Sequence, residues 1–524
     1  MSDRWLRRHR HTSLPNTRRA GSVAFALGAL SVSAGLCAGP ALAQSTAGAI
    51  AASQPASPEA SSDSGPLRPS ELGILVAQAA PQEGDAASAP GTGGFFNGIM
   101  QRSNLLGDIF GLRPFLYRYG ISFGLQEVSE VMGNVTGGIT RGTTYDGLTT
   151  MSLGLDTSKA LGWEGGTFNI SALQIHGRSL SQNYLDNLQT ASGIEATRAT
   201  RLWELWYQQA FHDGDFDVKI GQQSLDQEFM VSQYAGLFVN TMFGWPMVPS
   251  ADLPSGGPAY PLSSLGVRLR GKPSDSVTLL AGVFNDNPAG PGTGDPQVRN
   301  ASGTNFRLSD SPLVIAELQY AINQPALGEM DYGDKEPGLP GTYRLGAWYD
   351  DGLFADQEFD TTGLSLADPS SNGTPRQHRG NFSLYGVFDQ QIWRPDPTSG
   401  NGIGVFMRAM GAPADRNQIT FSLNAGITAK GLIPGRDNDT LGLGYGYAGV
   451  SSRLAQFDRD SGNPARTSES FIELTYQYQY TPWWQIQPDF QYIFNPGGGI
   501  PNPSNPSQLI HDEAVLGLRT TITF

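Results

Sequence analysis

The chain has 524 residues, with 66 glycines, 35 prolines, 10% aromatic and only 16% charged residues. Many short strands joined by turns give this composition, whereas a helical bundle does not. The formal net charge of −14 argues against nucleic-acid binding. Cys37 is the one cysteine of the sequence, so the chain beyond it has no internal disulfide.

The first 43 residues have the three parts of a secretory signal peptide. A stretch rich in arginine precedes an apolar run from Ala24 to Ala38, and Ala41-Leu42-Ala43 forms a small-x-small cleavage site. We therefore predict export with a signal peptide at 1–43. A twin-arginine route through Arg18-Arg19 and lipidation at Cys37 are weaker alternatives, because the residues that flank these motifs do not suit them.

Composition divides the remainder into three parts. Residues 44–94 are rich in Ala, Ser, Pro, Gly and Gln, which is typical of a flexible low-complexity tail, here expected in the periplasm. Residues 95–120 are predicted to form a short helical segment that leads into residues 121–524. Beyond the signal no apolar stretch approaches the roughly 18 residues of a membrane-spanning helix, so a helical membrane protein is excluded.

From Ile121 onward apolar and polar residues alternate, which is the signature of β-strands with two different faces. In 216–222 the apolar residues Phe216, Val218 and Ile220 oppose Asp217 and Lys219. The stretches 265–270, 314–320, 472–480 and 484–494 alternate in the same way. We count about sixteen such strands, starting near residues 121, 145, 167, 202, 216, 265, 277, 314, 343, 382, 403, 420, 440, 470, 484 and 514.

This pattern predicts an all-β transmembrane antiparallel up-and-down barrel over residues 121–524. A soluble β-sandwich also alternates, but here the apolar rows end in aromatic residues and the opposite faces carry residues suited to a wet lumen. The long polar stretches 223–264, 285–312 and 350–380 are predicted to be external loops. The last strand ends at Phe524, which is typical of the closing strand that the barrel-assembly machinery recognises.

These features place the protein in the outer membrane of a Gram-negative bacterium, in contact with lipid and lipopolysaccharide. Enzyme motifs are weak. Gly120-Ile-Ser-Phe-Gly124 matches a hydrolase nucleophile elbow, and Gly444-Tyr-Gly-Tyr-Ala-Gly449 a dinucleotide loop, yet both lie in predicted strands without a following helix. The four histidines beyond the signal lack metal-ligand spacing. We predict no catalytic residues, no metal and no cofactor.

The lumen face carries residues suited to sugars, which present an apolar CH face and many hydroxyls. Aromatic platforms beside charged groups bind such rings. The loop 223–264 is long enough to fold inward as a constriction. The candidate pore-lining residues are Glu204, Trp206, Trp245, Tyr260, Arg268, Arg270, Glu317, Arg344 and Trp348.

The sequence also resembles the carbohydrate-selective porin family, typified by the glucose-inducible porin of pseudomonads. The resemblance rests on four stretches, the most specific of which is Pro482–Gly498. The others are Leu105–Arg113 with Tyr119–Ile121, Leu161–Phe168 and Gly517–Phe524. It covers about residues 104–524 and implies a sixteen-stranded barrel that passes monosaccharides such as glucose by facilitated diffusion. Ile109-Phe110 and the tail depart from the family pattern.

From the residues and this resemblance we predict a sugar-permeable porin that works by passive diffusion. A general or organic-acid-permeable porin of the same fold is the first alternative. A hydrolase embedded in the barrel wall and a structural or adhesive surface protein are the others.

Overall fold

The structure is a computed structural model that describes residues 98–324, 338–395 and 400–524. The predicted signal peptide at 1–43 and the predicted tail at 44–94 lie outside the described residues. Among the helices that are described, none is long and apolar enough to cross a membrane.

Sixteen strands of the described chain form one closed antiparallel barrel, in which successive barrel strands pair with each other and the first strand pairs with the last. This confirms the predicted fold class. The barrel strands are β1 Ile121–Thr136, β2 Thr143–Asp156, β3 Gly166–Gly177, β4 Ala199–Phe211, β5 Phe216–Gln223, β6 Ser264–Ser274, β7 Val277–Asn285, β8 Pro312–Ile322, β9 Gly341–Asp360, β10 Pro375–Trp393, β11 Gly402–Gly411, β12 Ile419–Lys430, β13 Thr440–Val450, β14 Ser468–Thr481, β15 Trp484–Phe494 and β18 Glu513–Thr523. Between the last two, β16 Pro501–Asn502 and β17 Asn505–Leu509 form a separate hairpin.

Short helices occur outside the barrel wall. They are α1 Leu112–Arg118, α2 Thr157–Leu161, α3 Met247–Asp252, α4 Pro296–Arg299 and α5 Ser452–Asp460. A 3-10 turn at Ile99–Gln101 and α1 occupy the predicted helical segment 95–120, and β1 begins at Ile121.

The barrel closes where β1 pairs with β18, with Gln126 opposite Thr523 and Val131 opposite Leu518. Closure leaves no strand edge unpaired, which the interior of a bilayer requires. Arg113 of α1 strengthens this seam. Its guanidinium donates to the Phe123 carbonyl at 2.8 Å and also to the Phe524 carbonyl.

Alternation along each strand separates an outer apolar face from a polar inner face. In β8, for example, Val314 and Leu318 are outward and more than 40% exposed, whereas Glu317 is inward and 3% exposed. Lipid covers the outer face in a membrane, so its exposed apolar residues need no further partner. The inner face is buried because connecting segments fold into the lumen.

Most connections are shorter at one end of the barrel than at the other, although 323–340 at the first end is long and 137–142 and 412–418 at the second end are short. The turns 212–215, 275–276 and 482–483 lie at the end where the chain enters and leaves the barrel. The long connections, which include 178–198 and 224–263, lie at the opposite end. In bacterial outer-membrane barrels short turns face the periplasm and long loops face outward, and this assigns the two ends.

One predicted loop is shorter than expected. The sequence predicts an external loop over 350–380, but β9 continues to Asp360 and β10 starts at Pro375, so much of this stretch is a β-hairpin. This hairpin carries polar residues on both faces, including the ion pair between Arg379 and Asp351. Without a lipid-facing row it shows no clear alternation, and the sequence pattern therefore missed it.

Candidate functional site

The connection between β5 and β6, residues 224–263, folds into the barrel, and we call it the inner loop. It is anchored at its start, where the Ser224 N–H donates to Glu204 at 3.1 Å. From there it crosses the lumen and contacts residues of β8, β10, β11, β14 and β15. A loop held against so many strands narrows the passage through the barrel.

Aromatic packing fills the space between the inner loop and one side of the wall. Phe238 and Phe243 stack with ring centroids 4.4 Å apart, and Phe243 meets Phe471 edge-on at 5.4 Å. The wall is shaped to receive them, because a Cβ at Gly444 would lie 2.5 Å from the Phe243 ring. Gly442 likewise leaves room for Phe238. Within the Gly444–Gly449 motif, Gly444 therefore serves close packing of the loop, and Gly446 leaves room for Phe471 of the wall.

Strand carboxylates hold the inner loop by its backbone N–H groups. Glu473 accepts from the N–H groups of Val239 at 2.5 Å and Asn240 at 3.0 Å. Glu317 accepts from the Met230 N–H at 2.8 Å. A carboxylate has two acceptor oxygens. It can therefore bind neighbouring N–H groups that have no backbone partner where the loop is not helical.

Arg408 of β11 holds the carbonyls of the same loop. Its guanidinium donates to Met230 O at 2.8 Å, Gly244 O at 2.6 Å and Met242 O at 2.5 Å. A further bond joins it to Asn424 Oδ1 at 3.0 Å, and the side chain is 1% exposed. The Arg408 guanidinium thus holds two separate parts of the inner loop, one at Met230 and one at Met242 and Gly244.

A first group of charges lies on the lumen face of β5 and β6, and we call it the β5–β6 charge cluster. It contains Asp217, Lys219, Arg268 and Arg270 of the wall and Glu228 of the inner loop. Arg268 bridges Asp217 and Glu228, the latter at 2.5 Å, and Arg270 binds Asp217 at 2.5 Å. Lys219 pairs with Glu228. Every cation of the cluster therefore has a carboxylate partner.

A second group, the β8–β10 charge cluster, contains Glu317, Arg344, Tyr385 and Asp389. Arg344 pairs with Asp389 at 2.7 Å, and the Tyr385 hydroxyl donates to Glu317 at 2.8 Å. A Cβ at Gly346 would lie 2.2 Å from the Tyr385 ring, so glycine is needed where this ring crosses β9. The two clusters flank the stretch of the inner loop around Met230.

Four of the predicted site residues lie in the two charge clusters. Arg268 and Arg270 lie in the first cluster, and Glu317 and Arg344 in the second. Trp348 follows Arg344 on the lumen face of β9, 2% exposed, and its indole N–H has no hydrogen-bond partner among the described residues.

The other aromatic site candidates, Trp206, Trp245 and Tyr260, are covered or hydrogen-bonded by other residues and are less accessible to a solute than the sequence predicts. Lys219 Nζ lies 4.5 Å from the centre of the Trp206 ring and covers it. Trp245 donates to Gly256 O at 2.9 Å within the inner loop. Tyr260 donates to Ile194 O at 3.0 Å and so links the loop to the segment 178–198. In this structure Trp245 and Tyr260 brace the loop.

Sequence reasoning missed several lumen residues. Asp217, Lys219 and Glu473 were assigned to the polar faces of their strands but not to the site, and Arg408 was not singled out. Strand parity could have found all four, since each lies inward on its strand. Glu228 could not be found this way, because no periodicity governs a loop.

A second inward connection, residues 178–198 between β3 and β4, was also not predicted. Glu469 of β14 accepts from the N–H groups of Leu188 and Gln189, each at 2.7 Å. Gln491 of β15 donates to Ala191 O at 2.8 Å. The inner loop is therefore supported from one side by another segment that the wall holds in the same manner.

Asp226 and Glu228, near the start of the inner loop, differ in their electrostatics. Burial alone would raise the pKa of Glu228, but Lys219 and Arg268 outweigh it and lower the pKa to about 2. Burial raises the pKa of Asp226 to about 6, although Ser224 and the Tyr260 N–H donate to its carboxylate. Glu228 is thus a permanent anion of the lumen at neutral pH.

The motifs with enzyme-like spacing lie in the barrel wall, Gly120–Gly124 at the start of β1 and Gly444–Gly449 within β13. Within the described ranges no group of three or more His, Cys, Asp or Glu residues is placed to hold a metal ion. A closed barrel with a loop folded across its lumen and charges on both sides of the passage defines the class of outer-membrane channels called porins.

Comparison with known proteins gives the family. Residues 140–524 match the profile of the carbohydrate-selective porin, OprB family, and the chain belongs to this family. Porin B of Pseudomonas aeruginosa is 26% identical over 75% of this chain and 87% of its own length. Putative porin QuiX of Acinetobacter baylyi is 25% identical over 76% of this chain and 89% of its own.

A solved structure agrees with the fold. The high-pH structure of Pseudomonas putida OprB superposes with a TM-score of 0.68 at 22% identity, over 81% of this chain and 99% of that one. The resemblance identified in the sequence is confirmed. The chain is a porin of the Gram-negative outer membrane from a family of non-enzymatic channels, and the hydrolase alternative is set aside.

Proposed function

We propose that this porin passes monosaccharides such as glucose by facilitated diffusion, through a lumen that the inner loop narrows. The observation that carries the proposal is the balance of lumen charges. The cations Lys219, Arg268 and Arg270 are all paired with carboxylates, and so is Arg344 in the second cluster.

Paired charges favour a neutral polar solute. A sugar hydroxyl can accept from a guanidinium and donate to a carboxylate, so an ion pair offers it both bonds without a net charge to neutralise. An organic acid would need cations that lack a partner. Glu469 and Glu473 of the wall have no ion-pair partner among the described residues, but both are fully buried and accept from backbone N–H groups of the inward segments, so they serve to hold these segments.

The proposed solute path runs past the inner loop and the two charge clusters, which hold this loop against the wall. Arg344, whose side chain is 10% exposed, offers one side, and the Trp348 side chain next to it on β9 is 2% exposed. Lys219 and Glu228 offer the other, where the Glu228 side chain is 20% exposed. A solute that displaces Lys219 would reach the Trp206 ring beneath it. Binding has to stay weak, because a solute that binds tightly does not leave.

We also propose how the protein is exported, how it is assembled and what its outer surface contacts. The signal peptide 1–43 directs export, Phe524 and its strand are recognised by the barrel-assembly machinery, and the outer wall contacts lipid and lipopolysaccharide. Deletion of Phe524 with measurement of the outer-membrane yield tests the second of these.

Liposome swelling with glucose and with gluconate tests the function, because the two solutes differ little in size but gluconate carries a negative charge. We expect glucose to enter roughly tenfold faster, which corresponds to a barrier difference of about 1.4 kcal/mol. Equal rates would indicate a general porin, and faster entry of gluconate an acid-permeable one. No swelling with either solute would indicate a structural role.

A further inference from the structure

Two short helices lie together at the periplasmic end of the barrel, beside the seam that closes it. α1 leads into β1, and α2 connects β2 to β3. Lys159 Nζ of α2 lies 3.6 Å from the centre of the Tyr117 ring of α1. Where both helices meet the strands, the Asp156 N–H donates to Gly120 O at 2.8 Å. The two helices therefore form one structural unit.

α1 folds over the outer side of the rim and not into the lumen. Phe123 of β1 lies on the outer face of the wall, where its partner on β2, Leu153, is 41% exposed. The Arg113 guanidinium of α1 lies 5.8 Å from the centre of the Phe123 ring. α1 therefore lies against the outer wall next to the seam.

α2 lies on the same outer side. Gly166 of β3 has the parity of Phe168, which is outward and 36% exposed. A Cβ at Gly166 would meet Thr157 Oγ1 of α2, and it would lie 2.7 Å from the hydroxyl of Tyr207, the outward partner of Phe168 on β4. Both helices therefore occupy the zone where the outer wall meets the periplasmic leaflet of the membrane.

The exposed surface of this unit is apolar and aromatic, and we call it the rim patch. It consists of Leu112, Phe115, Tyr119, Leu161 and Trp163. These five side chains are 46%, 53%, 57%, 72% and 61% exposed, in that order. In α1 the buried residue is Arg113, so the apolar side chains of this helix do not contribute to a core of the protein. So many large apolar groups in one place are unfavourable in water, and the rim patch needs a partner.

The rim patch continues the lipid-facing surface of the wall. It follows directly on the outward residues Phe123 and Leu153 at the periplasmic end of β1 and β2. Two other turns at this end consist of polar residues and glycine, namely His212, Asp213, Gly214 and Asp215 in one and Asp275 and Ser276 in the other. Lipid that covers β1 and β2 therefore reaches the rim patch, whereas these polar turns suit water.

Charged side chains of both signs surround the rim patch. Arg118, Lys159 and Glu164 are exposed beside it. A phosphatidylethanolamine headgroup carries a phosphate and an ammonium, which suit the two cations and the carboxylate respectively. Aromatic rings next to cationic side chains are typical of protein segments that lie at the membrane interface. We propose that α1 and α2 are seated in the phospholipids of the periplasmic leaflet, with the rim patch among the acyl chains just below the headgroups.

This arrangement connects the membrane to the closing seam of the barrel. Arg113 of α1 donates to the carbonyls of Phe123 and Phe524, which belong to the two strands that close the barrel or directly follow them. α1 is thus held by the seam on one side and by lipid on the other. The leaflet fixes the depth of the seam in the membrane through this helix.

Spin labelling in vesicles of phosphatidylethanolamine and phosphatidylglycerol tests the depth of the rim patch. Cys37 lies in the predicted signal peptide, so a cysteine at Phe115 or Leu161 gives a single labelled position in the chain that follows it. The accessibility of the nitroxide is measured to oxygen, which concentrates in lipid, and to nickel ethylenediaminediacetate, which stays in water. Ser276, exposed in the turn between β6 and β7, is the matched position in water, and Leu318, 44% exposed on the outer wall, is the position in lipid.

The ratio of oxygen accessibility to nickel accessibility decides the proposal. At F115C and L161C we expect a ratio close to that of L318C and roughly tenfold above that of S276C, a factor that corresponds to about 1.4 kcal/mol. Ratios like that of S276C would place the rim patch in water and overturn the proposal. Low accessibility to both reagents would also overturn it, because protein would then cover the patch. Deletion of residues 44–94 would show in that case whether the tail is the cover.

Discussion

Replacement of Arg408 by methionine should release the inner loop from the wall of β11. Methionine keeps an apolar stem of similar length but has no donor for the carbonyls of Met230, Met242 and Gly244. The aromatic packing around Phe238 and the N–H groups bound by Glu473 remain. We therefore expect local opening of the loop and no collapse of the barrel.

The size of the effect follows from the bonds lost. A hydrogen bond to a charged group contributes roughly 1.5–3 kcal/mol. Arg408 makes three such bonds to the loop, and lumen water replaces part of them once the loop moves. We expect the closed position to lose about 3–4 kcal/mol, which raises the population of the open loop on the order of 10²–10³-fold.

Two measurements on the R408M variant report the opening of the loop. Amide hydrogen exchange should accelerate across 229–244, and single-channel conductance should rise because the passage is wider. Arg379→Met is the matched control, since its side chain is 74% exposed and pairs with Asp351 on the β9–β10 hairpin. If R408M exchanged and conducted like the wild type, or if the control changed equally, Arg408 would not hold the loop.

Four further predictions concern the lumen and the seam. Gly444→Val should push the phenylalanines of the inner loop away, because even a Cβ would lie 2.5 Å from one of their rings, and conductance should rise. Arg268→Gln leaves the carboxylates that it bridges without their main cation, so the reversal potential in a KCl gradient should shift toward cation selectivity. The pKa of Glu228 is lowered to about 2, so its ion pairs are intact above its ordinary pKa and are lost as the pH falls toward about 2. After correction for the intrinsic pH dependence of amide exchange, the protection of the loop around Glu228 should therefore fall as the pH drops below the ordinary range of a glutamate. E228Q should abolish this part of the acid response, which is separate from the titration of Asp226, whose pKa is raised to about 6. Arg113→Ala removes the donor to Phe524 and should lower the temperature at which the folded barrel unfolds in detergent.

For each of these four predictions, one outcome would contradict the reasoning. Unchanged conductance in Gly444→Val would mean that the loop does not pack against β13 in the membrane. An unchanged reversal potential in Arg268→Gln would place the cluster outside the ion path. An acid response that persists in E228Q would assign it to another group, and an unchanged unfolding temperature in Arg113→Ala would make α1 dispensable for the seam.

Most of the barrel wall could be predicted from the sequence because lipid and water impose opposite demands on alternate residues. The predicted strands at 216, 277, 440 and 484 begin where β5, β7, β13 and β15 begin. Prediction failed where that contrast is absent. The largest difference is at β10, expected near 382 but starting at Pro375, where the hairpin has polar residues on both faces.

The interior of the lumen was predictable only in part. Strand parity placed Arg268, Glu317 and Arg344 on the inner face, but it says nothing about which groups they meet. Their partners come from the inner loop and from strands distant in sequence, as when Glu473 binds the Val239 N–H. Such pairings depend on the path of a loop, and a single sequence has no periodic signal for it.

The most direct test of the account is the conductance of single channels in planar bilayers as glucose is added. A passage narrowed by the inner loop and lined by paired charges should bind glucose weakly, so the ionic current should fall in a saturable, concentration-dependent way. The block should weaken in R408M, where the passage is wider. A wild-type current that does not change at any glucose concentration, while gluconate reduces it, would contradict the assignment of a sugar path.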